Sequence, residues 1–431
     1  MKLDEKVLKS ILVFLLVVSL VVSVTPLMAA EKITLQFWVS AYTPQSSKWY
    51  REVVIPKYEK LHPNIKIEYQ EMGWGINRTQ KLTTAFAAGA GPDIYEAGSE
   101  HVADMYLRGE VYPNFEEKYL SKWPYKDKIF PYAWYSSTWA GKHWGIPMYT
   151  EARPLIYRKS FFKEAGLNPN KPPQTWEQLK EYAAKLTIRE GNKLIRAGYD
   201  FSRLQGLAGV QEFMTFLWQD GGDYFDKDHN VTIDSPAGAE TLAFMVDLYQ
   251  TVYPLGTAPL PAGVIPNFPA GKIAMGHGNW NIFQMLIYDP KNLDDVGIGD
   301  PPVGRKKKVI SCYTNWYLIS SQSKHPDEAW EFLQFLARPE NMGQLAAYVN
   351  AVPARRDAIP IVVKAYPFMN KIAQMTEKYA EPNRIYPEYE QLNTTLGNYI
   401  DAACMGKISP QEAIKKIGEE WRKVLAKAKW E

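Results

Sequence analysis

Cysteine is nearly absent: the 431 residues contain two, Cys312 and Cys404, 92 positions apart. That excludes a disulfide framework and a CxxC metal or redox motif, and leaves open a single bridge or two buried thiols. The six histidines (62, 101, 143, 229, 277, 325) include no pair at metal-ligand spacing, so no metal site is expected. No G-x-S-x-G elbow is present, which removes the usual serine-hydrolase signal. Gly89-Ala90-Gly91 lacks the Lys-Ser/Thr of a phosphate loop and follows a helical pattern instead of a strand, so no cofactor is expected there. Charge of one sign is also missing. With 50 basic and 47 acidic residues the formal net charge is +3, too small and too dispersed for a nucleic-acid footprint. The one dense basic run, Arg305 to Lys308, follows the turn signal Pro301-Pro302-Val303-Gly304 and reads as a solvated hairpin tip.

Long apolar runs are confined to the N-terminus. Lys2, Lys6 and Lys9 precede an uncharged stretch of 14 residues, 11–24, and then Thr25-Pro26-Leu27-Met28-Ala29-Ala30. A basic region, a short apolar region and a small-residue exit make a secretory signal, expected to span 1–30. The run is short of the roughly 20 residues that cross a bilayer. No cysteine stands at the exit to carry a lipid. The exported chain of about 400 residues is long enough for two cored lobes.

The remainder alternates strand and helix signals. Residues 33–39 alternate β-branched and aromatic side chains, 46–61 read as a helix ended by His62-Pro63-Asn64, and 65–69 as a second strand. A helix at 77–88 and a short strand at 93–97 complete a βαβαβ order, which implies a parallel sheet with helices on its faces. Ligands of such sheets lie beyond the carboxyl ends of the strands, here 40–44, 70–74 and 98–101. Further on, helices are expected at 159–166, from Thr175 with Gln178 completing a capping box, at 209–219, at 236–253 with Ser235 as cap, at 326–337, 339–349 and 389–429, the last broken near 406–410. Short strands are expected within 271–280 and at 318–320.

The segment 144–157 stands between these two sets of signals. Pro147 and Pro154 forbid a helix through it, so it reads as an extended crossover between two lobes. Glu151, Trp144, Tyr149 and Tyr157 would then sit at the bottom of a cleft. Trp38, Trp74, Trp144, Trp280 and Trp316 all fall at strand ends or just beyond, in the company of Glu71, Glu100, Glu151, Asn279 and Asn315. Flat apolar platforms edged by carboxylates and amides suit sugars, which present a C–H face and a ring of hydroxyls.

The strand exit Phe37-Trp38, the stretch 84–94, the crossover with Glu151 and Tyr157, Thr175-Trp176, Gly271-Lys272-Ile273-Ala274-Met275 with Gly278-Asn279-Trp280, residues 323–333 and Val352-Pro353-Ala354-Arg355 together resemble the sugar-specific extracellular solute-binding proteins. That group includes the maltose-binding proteins and serves ABC importers. The resemblance spans essentially the whole exported chain. It implies an α/β fold of two lobes, each a mainly parallel sheet flanked by helices, joined by crossing hinge strands and closing on a sugar. Lobe boundaries of 31–146 with 312–352 and 147–311 with 353–431 follow from it. The loaded form would dock on membrane permease subunits, the protein acting as a monomer without cofactor or metal.

Matched by position, Trp38 falls on the first-strand aromatic, Glu100 on an acidic hydroxyl ligand, Glu151 on the crossover carboxylate and Trp280 on a stacking platform. The expected ligand set is Trp38, Tyr42, Glu71, Glu100, Glu151, Asn279, Trp280, Trp316, Arg355 and Tyr389, with Arg355 and Arg356 available to pair with an acidic sugar, a structural salt bridge being the commoner fate of such residues. Two features depart from the maltose binders: no Asp-Lys pair follows Trp38, and Tyr389 stands where they place a tryptophan. The competing class is a secreted glycoside hydrolase using Glu100 and Glu151 as its carboxylate pair. A third, a structural surface protein, needs no closing cleft.

Overall fold

The computed structural model describes residues 32–430 except 41–42, 74–75, 202–206, 258–259, 261–262 and 279. The leader therefore lies outside the described residues, as do Tyr42, Trp74 and Asn279. In chain order the strands that position the site are β1 (Ile33–Ser40), β2 (Ile65–Met72), β3 (Ile94–Ala97), β4 (Ile146–Ala152), β5 (Leu155–Arg158), β6 (Met275–His277), β7 (Val296–Gly299), β8 (Ile310–Ile319), β9 (Val352–Pro353) and β10 (Ala380–Pro382).

A seven-stranded sheet runs in the order β9-β4-β8-β3-β1-β2, with β10 added to β8. β1 is parallel to β2 and β3, as the βαβαβ pattern requires. β8 is antiparallel to both β3 and β4, so β4 points the same way as β1 to β3 and extends past their carboxyl ends. The register fixes how far: Trp316 of β8 faces both Ala97, the last residue of β3, and Pro147, while Tyr313 faces Glu151 further along.

β8 is the largest difference from the sequence expectation, which saw a strand only at 318–320. All ten of its residues are buried, including Ser311, Thr314 and Asn315. A strand covered on both faces carries no period-two signal, and its polar residues disguised it further. The hydroxyls of Thr150 and Thr314 satisfy each other at 2.9 Å across the β4–β8 pair.

Two large cores lie on either side of this crossing. Leu35, Phe37, Val39, Met148, Tyr149, Tyr317, Phe332, Leu336 and Ala354 belong to the first. Ala152, Leu155, Ile310, Tyr313, Phe213, Met245, Ile372 and Trp421 belong to the second. A smaller aromatic cluster with Tyr95, Ala97, Trp139, Trp144 and Trp316 sits beside the first. The chain passes from one core to the other between Tyr149 and Ala152, between Tyr313 and Tyr317, and again after Ala358. In the second lobe β5 pairs antiparallel with β6 and β7. Parallel bridges join Ala197 to Ile273 and Thr175 to Val303, but the strand pairings of this three-stranded sheet are antiparallel, where a mainly parallel sheet was expected.

The helix expected at 46–61 begins at Pro44, with Thr43 and Ser46 forming a reciprocal cap. Pro56 lies inside the run. It lacks an N–H, and the preceding turn, Tyr50–Val54, widens to a π-helix before α-helical geometry resumes at Ile55–Leu61. Thr175 caps its helix through Gln178 N, but Gln178 reaches back to Gln174 N instead of completing the box. Helices Ile359–Ala365 and Met369–Tyr379 had no sequence expectation. Cys312 and Cys404 are both free and buried, and burial raises both thiols, Cys404 to about 12. Arg305 is less solvated than a plain hairpin tip, since it forms two bonds to Asp220 at 2.5 and 2.7 Å.

Candidate functional site

Three polar groups meet where the strands cross. The first is built on the loop after β3. Gly98 opens it, and a side chain there would collide with Glu100 and Arg78. Glu100 takes a bond from Ser99 Oγ at 2.8 Å and lies 3.1 Å from His101 Nε2 and 3.5 Å from Arg78 Nη2. Burial alone would raise its pKa, but the charges and hydrogen bonds of His101, Arg78 and Ser99 outweigh burial and hold it at about 2. Behind it, Glu96 accepts from Tyr149 Oη at 2.6 Å and from Ser40 N at 2.7 Å. Here burial wins over both bonds and over Arg78, and the carboxyl is raised to about 7.

The second group is on the crossover itself. Arg153 lies 3.6 Å from Glu151, and its guanidinium covers the Tyr313 ring at 4.4 Å. Glu151 and Tyr313 face each other in the β4–β8 register, so strand pairing sets this geometry directly. The Tyr313 hydroxyl is buried, with only the Ser311 hydroxyl beside it.

The third group comes from the second lobe. His277 ends β6 opposite Leu155, and the next residue, Gly278, has φ +114 and donates its N–H to Pro154 O. Only glycine adopts that backbone readily, and it brings the turn against the crossover. His277 Nδ1 is 2.8 Å from Glu212 and 2.7 Å from Tyr199 Oη, and Tyr199 also bonds Glu212. Burial raises the Glu212 carboxyl, but His277, Tyr199 and the charge of Arg153 bring it below the ordinary carboxylate range. Arg153 thus links the second and third groups. The first group meets the second lobe through His101, whose ring lies edge-on to Tyr389 at 5.9 Å, and through Glu388 N, which donates to Asp104. Burial and then the Glu100 charge raise the Tyr389 hydroxyl.

Of the expected set, Glu100, Glu151, Trp280 and Tyr389 lie at this crossing. Trp280 opens the helix Trp280–Tyr288 two residues after Gly278, half-buried and tilted against Phe283 at 5.1 Å. Trp38 is half-buried beside the aromatic cluster, with the Lys81 ammonium 4.9 Å over its ring. Tyr42 and Asn279 lie outside the described residues.

Three expectations are corrected. Trp316 is completely buried and donates its indole N–H to Gly98 O at 2.9 Å, so it supports the Glu100 loop from beneath. Arg355 is buried, bonded twice to Asp357 and once to Ala337 O, so its charge is already paired within the protein and is not presented to an acidic sugar. Glu71 is on the edge strand β2, tied to Arg51 at 2.5 Å and to Tyr69. Four strand spacings, roughly 19 Å, separate that strand from β4. Arg78, Glu96, His101, Arg153, Tyr199, Glu212 and Tyr313 were not expected. Arg153 could have been found from its place two residues after Glu151, whereas Glu212 comes from mid-helix with no local signal.

Among the described residues no group of three or more His, Cys, Asp or Glu is arranged to hold a metal, and no helix is long and apolar enough to cross a membrane. Residues 40–343 match the bacterial extracellular solute-binding protein family. The chain belongs to that family. Its members bind solutes and are not enzymes, so the hydrolase alternative falls. This solute-binding protein is 23% identical over 402 residues to a putative binding protein of Brucella abortus, covering 90% of this chain and 92% of that one. It is 22% identical over 400 residues to the sn-glycerol-3-phosphate-binding periplasmic protein of Pectobacterium atrosepticum, covering 86% of each. The structure of an ABC transporter solute-binding protein from Thermotoga lettingae bound with α-D-tagatose matches with TM-score 0.75 and 25% identity, over 91% of this chain and all of that one.

Proposed function

We propose that this solute-binding protein captures a carbohydrate between its lobes and delivers it to the permease subunits of an ABC importer, working as a monomer outside the cytoplasm after removal of residues 1–30. The observation that carries the reading is the meeting of Glu100, Glu151 and Glu212, one from each lobe and one from the crossing strand, with Tyr313, Tyr389 and Trp280 around them. Carboxylates accept from sugar hydroxyls, and aromatic rings cover a pyranose face. Both lobes and the crossing strands contribute, so a ligand bridging them favours the closed arrangement by its differential contacts. The sugar-bound Thermotoga structure of the same fold supports the ligand class.

A sugar and oligosaccharide panel read by thermal shift tests this, since a ligand that binds only the folded state raises Tm by mass action. Glu151→Gln exchanges an acceptor for a donor and should weaken the best ligand about tenfold, or about 1.4 kcal/mol. Neither form should release reducing sugar. A panel with no Tm response from any carbohydrate refutes the assignment.

A further inference from the structure

We propose that the site is built for an uncharged polyhydroxylated ligand and rejects the phosphorylated or carboxylated form of the same sugar. This inference rests on the carbohydrate reading and narrows it. Membership of the family does not decide the point, because a relative named for sn-glycerol-3-phosphate belongs beside neutral-sugar binders.

The guanidiniums at the crossing are Arg78 and Arg153, and each, like the imidazoles of His101 and His277, already faces a carboxylate of the protein. Arg78 and His101 face Glu100, at 3.5 and 3.1 Å. Arg153 faces Glu151 at 3.6 Å and lies in the field of Glu212, which His277 meets at 2.8 Å. Arg355, the remaining guanidinium expected at the site, is buried with its charge paired to Asp357. Glu96 lies behind Glu100, and Asp200 is in contact with the β6 turn at Gly276. Carboxylates therefore outnumber guanidiniums, and an arriving anion would have to displace a buried partner or sit beside like charge. The least-bonded polar atoms are of another kind. His277 Nε2 is buried and unbonded among the described residues, Tyr313 Oη has only the Ser311 hydroxyl beside it, and both belong to groups that exchange single hydrogen bonds with hydroxyls. Charges already paired within the protein, beside single hydrogen-bonding atoms left for a hydroxyl, disfavour an ion, which would meet like charge or leave a buried charge unpaired.

The test uses matched pairs on the exported protein: the best neutral sugar from a panel and its uronic acid, and glucose, galactose and glycerol each against its phosphate, by calorimetry at low ionic strength. The neutral member should bind at least 100-fold more tightly than its anionic counterpart. Glu212→Gln, which relieves Arg153 of one carboxylate, should narrow that ratio about tenfold. Should that variant fail to fold, Glu151→Gln relieves the same guanidinium, and the affinity of the anionic member should itself rise while that of the neutral member falls. An anionic member binding as tightly as its neutral parent overturns the inference while leaving the carbohydrate reading standing. A ratio unmoved by the folded variant overturns the charge mechanism. Binding of neither member of any pair removes the carbohydrate reading itself.

Discussion

Glu100 gives the sharpest stability prediction, because its carboxylate is buried and yet held ionised. Its pKa of about 2 lies some two units below an ordinary glutamate near 4.3. At 1.36 kcal/mol per unit, the pairing with His101, Arg78 and Ser99 contributes about 3 kcal/mol to the folded state at pH 7. The sign is that of a depressed acid: the contribution is complete above the unfolded pKa and fades as pH falls toward 2. Glu100→Gln should thus cost the ligand-free protein about 3 kcal/mol at pH 6 to 7, about 1.4 kcal/mol at pH 3 and less below. The assay is urea unfolding of both proteins at matched pH, comparing the free-energy difference instead of either absolute value, since two cores need not unfold together. Glu96 titrates in both proteins and mostly cancels, although it shares Arg78 and so leaves a small residue. A difference of the same size at pH 3 and pH 7 would refute the charge argument, and no difference at pH 7 would show that the cluster is not formed.

Glu96 should act in the opposite direction. Burial raises its folded pKa to about 7, so wild-type stability should fall as pH rises from about 4.3 to 7, by up to about 3 kcal/mol, and Glu96→Gln should flatten that interval of the Tm profile. Trp316→Phe removes the indole donor to Gly98 O and part of a fully buried ring, and should cost about 2–4 kcal/mol of stability with affinity changed less than about threefold. Trp280→Ala should give the reverse pattern, affinity lower by roughly 1–3 kcal/mol with a stability loss under about 2 kcal/mol, measured by calorimetry and denaturation on the same samples.

The first lobe was legible because its elements obey local rules: β1 and β2 alternate, β3 is a short run between a Gly-Pro turn and Gly98, and the helices between them are capped and stopped by Thr43, Pro63 and Gly89. β8 was not legible, because a strand buried on both sides reads as a mixture of Ser311, Thr314 and Asn315 with aromatics. The site divides in the same way. Glu100 and Glu151 follow from strand ends and proline placement alone. Trp316 and Trp280 look equivalent in sequence, each an aromatic near a strand end, and only the bond from Trp316 to Gly98 O separates support from surface. Glu212 meets His277 across 65 positions and Arg355 meets Asp357 across two, and nothing in composition distinguishes the bond that builds a site from the one that anchors a loop.

The placement of the crossover residues has a mechanical consequence. Glu151 and Tyr313 are opposite each other on β4 and β8, within the few residues where the chain leaves one core for the other. Arg153 stacks on Tyr313 and reaches toward Glu212, so it ties the crossing strands to the helix Leu207–Gln219 of the second lobe. A ligand that bonds Glu151 and Tyr313 therefore acts on the strands about which the lobes must turn, and one that also reaches Glu100 and Trp280 holds both lobes to them. Contacts of that kind differ between open and closed arrangements, which is the condition for a ligand to shift the balance between them. On the proposed reading a carboxylate and a phenol on the crossing strands are both ligand contacts and levers, and substitutions there should change affinity and closure together, whereas Trp280→Ala should weaken binding from one lobe alone.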